Sequence, residues 1–161
     1  MAMTTTTQLN AINTMLSTVG EAPVNNLTTV NADVRMAESI LDEVSREVQS
    51  QGWYFNTEKN VQLIPDSSGE INVPSPVVRV DLESENVDVN HDVILRGSKL
   101  YNRKNNSYIF TSTLKYTTVS LMEWDFLPET AKRYIMIRAA RIYQDRLLGS
   151  EKVSTFTRGD E

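Results

Sequence analysis

The sequence of 161 residues contains no cysteine and a single histidine. Without cysteine there is no disulfide framework, no thiolate metal site and no cysteine nucleophile. With one histidine, a catalytic zinc site is close to excluded, because such sites take several nitrogen or sulfur ligands. The longest mostly apolar run, residues 134–140, is interrupted by Arg138 and is too short to cross a bilayer. The first residues lack the basic and apolar regions of a secretory signal. These absences predict a protein without a membrane span that stays in a cytoplasm or in an assembly built there.

Acidic and basic side chains are divided unevenly along the chain, which has a net charge of −5. Residues 81–92 hold five acids and no base, whereas residues 99–146 hold nine bases and four acids. An acidic chain is a poor general nucleic-acid binder, because duplex affinity comes mostly from neutralised phosphates. In a ring of identical subunits, however, an acidic and a basic patch on opposite flanks attract each other head to tail.

A long amphipathic helix is predicted in the first third of the chain. Asn31 and Asp33 supply N-cap oxygens, and Gly52 suits the left-handed residue that ends a helix. Three adjacent aromatic residues follow, and we expect Trp53 and Phe55 to be buried as an anchor where this helix meets the β-strands. The apolar face of the helix has steps of three and four residues; it consists of Val34, Ala37, Leu41, Val44 and Val48.

Two further helices are predicted, one before and one after this segment. The first is stopped by Gly20, and Pro23 forbids its continuation. Thr4 to Thr7, before it, is expected to be frayed. The last begins at Pro128, which suits the first turn of a helix, and stops at Gly149. The apolar faces are Leu9, Ile12, Leu16 and Val19 in the first, and Ala131, Ile135, Ala139 and Ile142 in the last, widened by Met136, Ala140, Tyr143 and Leu147.

Between residues 59 and 121 the apolar period changes to two, which predicts short, mostly antiparallel strands. Asp66 to Gly69 indicates a turn. Asn105-Asn106 indicates a hairpin, because asparagine tolerates a positive φ. The predicted strand segments are 61–64, 71–73, 78–82, 87–89 paired with 93–95, 100–101 paired with 108–110, and 114–120.

The order of these elements predicts an α+β fold. We expect one domain over residues 1–161, with a helical part made of 1–58 and 122–161 and an inserted β-unit of 59–121. Residues 150–161 give only a weak helical pattern.

Signatures of catalysis and metal binding are nearly absent from the sequence. His91 lies in a polar turn, where a solvated side chain is the expected state, and no nucleophile elbow accompanies it. Asp88, Asn90 and Asp92 begin like a calcium loop, but the glycine and the bidentate glutamate that such a loop requires are missing. We therefore predict no metal, no cofactor and no enzymatic activity. A carboxylate pair for glycoside hydrolysis stays open, because it only has to meet in space; its pool is Glu83, Glu85, Asp88, Glu123 and Asp125.

The last helix, 128–148, is rich in bases. Arg138 and Arg141 lie on neighbouring turns of one face, and Asp145 is spaced to pair with Arg141. An arginine stripe can bind nucleic acid, but arginine and tyrosine are also enriched where subunits meet, and we favour that interpretation. The candidate subunit-interface residues are Arg133, Tyr134, Arg138, Arg141 and Arg146, in a helix that also carries Lys132.

Motifs spread over about nine-tenths of the chain resemble the tail tubular protein A family, the head-to-tail adaptors of short-tailed bacteriophages. Each motif is weak by itself, and their common order makes the resemblance fairly specific. The matching residues are Leu9-Asn10-Ala11-Ile12-Asn13, Leu16, Val19-Gly20-Glu21-x-Pro23-Val24, Asn31-Ala32, Gln51-Gly52-Trp53-x-Phe55-Asn56, Gly97-x-x-Leu100-Tyr101-Asn102, Leu127-Pro128-Glu129, Arg138-Ala139-x-Arg141-x-Tyr143, Arg146 and Gly149.

The resemblance implies a structural, non-enzymatic subunit of a dodecameric ring in the virion tail. Such a ring lies between the portal and the tail nozzle, a tail tubular protein B-like partner, and passes the genome through its channel without specific binding. Tail fibres attach near its outer edge, and assembly takes place in the host cytoplasm. Family members usually continue into a longer C-terminal helix, whereas this chain ends at Glu161, so the resemblance carries over no role for that helix. Two alternatives stay open: a glycan-degrading tail protein using a carboxylate pair, and a nucleic-acid-binding module using helix 128–148.

Overall fold

The computed structural model describes residues 4–28, 31–83 and 91–149. It confirms the predicted α+β class, with helices at both ends and small antiparallel sheets between them. The chain divides into two compact units, at Val48/Gln49 and at Met122/Glu123. The elements are α1 (Gln8–Thr18), α2 (Ala32–Ser50), β1 (Thr57–Leu63), β2 (Val77–Leu82), β3 (Val93–Arg96), β4 (Lys99–Asn102), β5 (Leu114–Ser120) and α3 (Glu129–Leu148).

Helix α1 is capped at both ends by the residues that precede and follow it. The Thr7 side chain accepts the N–H of Asn10, which satisfies one of the free donors of the first turn. Gly20 has a φ of 82°, and the N–H of Glu21 returns to the carbonyl of Leu16 at 3.1 Å, as in a Schellman cap. The loop after Pro23 is tied back, because the amide of Asn13 binds both backbone groups of Val24 at 2.8 and 3.0 Å. The predicted end of this helix is confirmed.

The expectation that Thr4 to Thr7 is frayed is wrong. Both the N–H and the hydroxyl of Thr6 donate to the carboxylate of Glu129, the first residue of α3, and these bonds lower the pKa of Glu129. The indole N–H of Trp124 donates to the Thr6 carbonyl at 3.0 Å. The segment before α1 is thus held by hydrogen bonds to residues more than 100 positions away, which periodicity does not reveal.

Helix α2 has the predicted start and the predicted buried face. The Asn31 side chain accepts the N–H of Asp33 at 2.8 Å, and Gly52 has a φ of 80° just beyond the helix end. Every residue of the predicted face is at most 2% exposed, and Ile40 joins it. Helix α2 therefore buries one apolar stripe and turns its charged residues outward.

Helix α3 packs against α1 in the helical unit, with Ile135, Ala139 and Tyr143 completely buried. Pro128 and Gly149 bound it as predicted, and Gly149 has a φ of 55°. Lys132, counted among the bases of this helix, is only 1% exposed, so its methylene chain is part of the packed face rather than of a surface stripe.

The second unit contains a three-stranded antiparallel sheet in the order β1-β5-β2 and a β3–β4 hairpin. Asn60, with a φ of 58°, forms a bulge in β1, and Gly97, with a φ of 61°, turns the hairpin. Strand β3 pairs with β4, and residues 87–89, its predicted partner, lie outside the described residues. Asn106 has the positive φ that asparagine was predicted to supply, yet 108–110 forms only an isolated bridge.

The core of this unit is built around Tyr116 at the centre of β5. Tyr116 is completely buried, and burial raises its pKa to about 12. Among the described residues its hydroxyl has no hydrogen-bond partner. A buried polar group without a partner opposes folding. The neighbouring core residues are Ile71, Val73, Val80, Val93, Leu100 and Phe110.

We expect Tyr116→Phe to leave the free energy of unfolding unchanged or to raise it by up to about 1 kcal/mol. The change removes only the buried hydroxyl and keeps the ring, whereas most core substitutions lower stability. Urea unfolding of both proteins measures the difference. A loss of more than about 1 kcal/mol would show that the hydroxyl is hydrogen-bonded in the protein in solution.

The predicted aromatic anchor, Trp53 and Phe55, is only partly buried. Trp53 is 42% exposed and Tyr54 is 80% exposed, while Phe55 is half-buried and meets Tyr54 edge to face at 5.5 Å. The expectation that Trp53 is buried is therefore wrong. The buried residue of this turn is Asn56, only 4% exposed, and its amide donates to the backbone carbonyls of Gln49 and Ser120.

Candidate interaction surfaces

The bases of α3 are partly used inside the helical unit. Arg138 donates to Glu47 on α2 at 2.6 Å, and Arg146 donates to both carboxylate oxygens of Glu43 at 3.0 and 3.1 Å. The two acids are one turn apart on α2, so together the pairs join the facing sides of these helices. At least two of the five candidate subunit-interface residues, Arg138 and Arg146, thus have partners within their own subunit.

We expect a larger coupling energy for Arg138–Glu47 than for Arg146–Glu43. The Arg138 side chain is 20% exposed, whereas both members of the second pair are about half exposed, at 49% and 58%. Exposed pairs contribute about 0–1 kcal/mol, and solvent screening reduces the more exposed one further. Double-mutant cycles with alanine, measured by urea unfolding, test the order. Equal coupling energies, or a larger one for Arg146–Glu43, would contradict it.

The other candidate interface residues of α3 point to solvent to different degrees. Arg133 is exposed, Tyr134 is 39% exposed and Arg141 is half-buried. A charge reversal at Arg138 would break an ion pair within the subunit as well as any contact outside it. Tests of the outer face of α3 should therefore change Arg133 and Tyr134.

Two buried amides hold the segments through which the chain enters and leaves the sheet unit. The Gln49 side chain binds both backbone groups of Met122, accepting its N–H at 2.7 Å and donating to its carbonyl at 3.1 Å. The Asn56 side chain donates to the carbonyls of Gln49 and Ser120 and accepts the N–H of Trp53, all at 2.8–2.9 Å. These bonds fix the turn that carries the two exposed aromatic rings.

A basic and aromatic surface covers the β3–β4 hairpin. The Arg96 guanidinium lies 3.7 Å from the centre of the Tyr101 ring, and Tyr101 meets Tyr108 at 4.9 Å. Lys99 pairs with Glu70 at 2.6 Å and Arg103 pairs with Asp92 at 2.7 Å. An open cleft of about 430 Å³ lies beside Arg96, and its lining is Glu70, Arg96, Gly97, Ser98, Lys99 and Tyr108.

The carboxylates considered for catalysis have different surroundings. Glu83 accepts the hydroxyl of Thr117 and the N–H of Asn60, and these bonds lower its pKa. A carboxylate that is stabilised in its ionised form by these hydrogen bonds links β2 to β5 and β1, and it is a poor proton donor. Glu123 and Asp125 belong to the other unit and are exposed. Glu85 and Asp88 lie outside the described residues.

The residues His91 and Asp92 make packing and ion-pair contacts. The His91 ring stacks on Phe110 at 6.4 Å and is half-buried, so the expected solvated histidine is wrong. Asp92 is engaged by Arg103, and the other two residues considered for a calcium loop lie outside the described residues. Within the described part of the chain, no group of three potential ligands could hold a metal ion.

Comparison with known proteins gives two consistent matches. A family model described as tail tubular protein matches residues 9–161, nearly the whole chain. The chain belongs to the tail tubular protein family. It is also 28% identical over 156 residues to the tail tubular protein A of Klebsiella phage KP34, covering 96% of this chain and 81% of that relative. The resemblance found in the sequence motifs is thereby confirmed.

Membership of the tail tubular protein family makes the chain a structural protein of a bacteriophage tail, located in the virion. This confirms the coarse function and location predicted from the motifs. The family assembles with other tail proteins, so exposed surfaces are the features to interpret. No helix within the described residues is long and apolar enough to cross a membrane.

Several motif residues stabilise the fold of this tail tubular protein family member. Gly20 and Gly52 hold positive φ angles, Asn13 ties down the loop after Pro23, and Asn56 fixes the turn after α2. The sequence pattern predicted that Trp53 is the buried residue of this turn, whereas Asn56 is. It also missed Gln49, which periodicity places beside the buried face of α2 but does not connect to Met122.

Proposed function

We propose that this chain is a non-enzymatic subunit of a head-to-tail adaptor ring in a short-tailed phage. The ring joins the portal to the tail nozzle, and its central channel passes the genome. The match of the tail tubular protein family to residues 9–161 is the observation that carries the proposal. The name of the KP34 relative, tail tubular protein A, agrees with it. A dodecamer, with tail fibres near the outer edge, is the stoichiometry proposed.

The charge of the chain suits a channel that DNA crosses without sticking. The net charge is −5, and a wall of the same sign as the phosphates repels them. Arg138 and Arg146, which a nucleic-acid-binding helix would need, are paired with Glu47 and Glu43. Glu83 is hydrogen-bonded to Thr117 and Asn60, which leaves one fewer carboxylate available as a candidate for glycan cleavage.

We propose one contact of the ring on the outer face of α3. Arg133 is exposed and Tyr134 is 39% exposed, and these are residue types enriched at the centres of interfaces. Arg141 lies at the edge of this face. Each subunit of a closed ring must present two different surfaces that meet around the circle, so a second surface is also required.

Mixing the purified protein with the portal and the nozzle protein of the same phage tests the proposed position. Size-exclusion chromatography should give a complex containing all three, and neither outer partner should bind the other without this chain. A portal and nozzle that join without it would contradict the adaptor role. Turnover of host oligosaccharides, or duplex affinity that falls steeply with salt, would favour the glycan-degrading or nucleic-acid-binding alternative.

A further inference from the structure

The β3–β4 hairpin is the most basic described part of the chain. Residues 93–108 carry four bases and no acid, in a chain whose net charge is negative. Two of these bases have carboxylate partners, since Lys99 binds Glu70 and Arg103 binds Asp92. Arg96 makes no ion pair within the described residues; its contact is with the Tyr101 ring.

Arg96 is held in one orientation by an aromatic stack. The central carbon of its guanidinium lies over the Tyr101 ring, 3.7 Å from the ring centre, and the Tyr101 hydroxyl donates to the side chain of Asn106 at 3.2 Å. Tyr108 supports the same ring from the side. A stacked guanidinium keeps its N–H edges available for a carboxylate, and its fixed orientation reduces the entropy lost on binding. Tyr108 and Ile109 are 37% and 49% exposed and add an apolar margin.

A surface of opposite charge lies in the helical unit, at the short 3-10 helix Trp124–Phe126. Phe126 is 69% exposed, although a phenylalanine is usually buried. Glu123 and Asp125 precede it in the same segment, and both are exposed. Neither carboxylate makes an ion pair within the described residues. An exposed aromatic ring in the same short segment as two such carboxylates is the chemical complement of a stacked arginine beside tyrosine and isoleucine.

We infer that the acidic-aromatic segment 123–126 of one copy docks on the β3–β4 hairpin of a second copy of this chain. Asp125 or Glu123 then binds the N–H edges of Arg96, and Phe126 packs against Tyr108 and Ile109. This contact is heterologous, because the two surfaces differ, and such contacts are the ones that build rings. The inference rests on the proposed ring and supplies one of its subunit contacts.

The inferred contact has a different polarity from the one that the charge pattern of the sequence favours. That pattern favours a basic surface on α3 and an acidic surface that includes residues 81–92. Arg138 and Arg146 instead neutralise acids of α2 within the helical unit. Arg96, which makes no ion pair within the described residues, lies in the sheet unit.

Charge reversal and charge exchange test the contact by sedimentation velocity. Arg96→Glu and Asp125→Arg should each raise the concentration needed for assembly at least about tenfold. The combined variant should regain assembly, because the pair is restored with its sign exchanged. Lys115→Glu makes the same charge change at an exposed position of β5 and should leave assembly within about threefold of the original. Circular dichroism checks that each variant is folded. If Arg96→Glu does not fold, Arg96→Gln is used in its place.

Four other outcomes of these experiments would each overturn the proposed contact. Assembly of Arg96→Glu and Arg96→Gln at the original concentration would overturn the docking contact and leave the ring standing. Single reversals that lose assembly, without recovery in the combined variant, would show that the hairpin has another partner. An unmodified protein that stays monomeric at every concentration would overturn the ring and this contact together. A short DNA duplex that binds the unmodified protein but not Arg96→Glu, with no effect on assembly, would assign the surface to phosphate instead.

Discussion

Asn56→Ala should lower the free energy of unfolding by about 3–5 kcal/mol. The Asn56 side chain is buried and makes three hydrogen bonds to the backbone of Gln49, Trp53 and Ser120. Its removal takes this partner from the Ser120 carbonyl and the Trp53 N–H, whereas the Gln49 carbonyl still accepts the N–H of Gly52 at 3.1 Å. Each buried group that loses its partner costs about 1–3 kcal/mol unless water reaches it. Urea unfolding followed by circular dichroism measures the loss.

Two further variants separate the hydrogen bonds from the loss of volume. Asn56→Asp keeps the shape but replaces the NH2 donor with an oxygen that faces the Gln49 and Ser120 carbonyls, so it should be at least as destabilising. Asn105→Ala changes an exposed asparagine of the same unit and should cost less than about 0.5 kcal/mol. A loss at Asn56→Ala no greater than at Asn105→Ala would refute the assigned role of the amide.

Gly52→Ala should lower the free energy of unfolding by about 2–4 kcal/mol. Gly52 has a φ of 80°, which an L side chain adopts with strain. A Cβ there would lie 2.8 Å from an Arg79 guanidinium nitrogen and 3.0 Å from a Val119 methyl group. The Arg79 tip can move, but it also donates to the Gln51 carbonyl and pairs with Asp81, so its displacement has a cost.

Gly97→Ala is the matched control, because Gly97 also has a positive φ but nothing lies within 4 Å of its added Cβ. It should show the conformational strain without the clash, about 1–2 kcal/mol. The combination of Gly52→Ala with Arg79→Ala should recover part of the Gly52→Ala loss. Equal losses at the two glycines, with no recovery in the combination, would contradict the steric explanation.

The helices were predictable because one strong signal locates each of them. Apolar residues three and four apart marked the buried face of α2, and Gly20, Gly52 and Gly149 marked the ends. Strand pairing was less predictable, since short strands have several possible partners of similar pattern. Strand β3 pairs with β4 across Gly97, a pairing that the sequence pattern did not predict. Local spacing carries no information about which of several neighbouring turns closes a hairpin.

The interaction surfaces were less predictable than the fold. A count of bases located the arginines of α3, but the acids that neutralise Arg138 and Arg146 lie 91 and 103 residues earlier in the chain. The Arg96–Tyr101 stack joins neighbouring strands and follows only from their register. Trp53 is exposed whereas Asn56 is buried and hydrogen-bonded, and a hydrophobicity scale predicts the opposite for the two residues.

Negative-stain imaging of the purified protein, alone and mixed with the portal, tests the central claim most directly. We expect closed rings with a central channel at high protein concentration, and the same rings stacked coaxially on the portal in the mixture. Because a heterologous contact that closes gives rings, their diameter should not vary with concentration. Single small particles at every concentration, with no portal complex, would contradict the adaptor account.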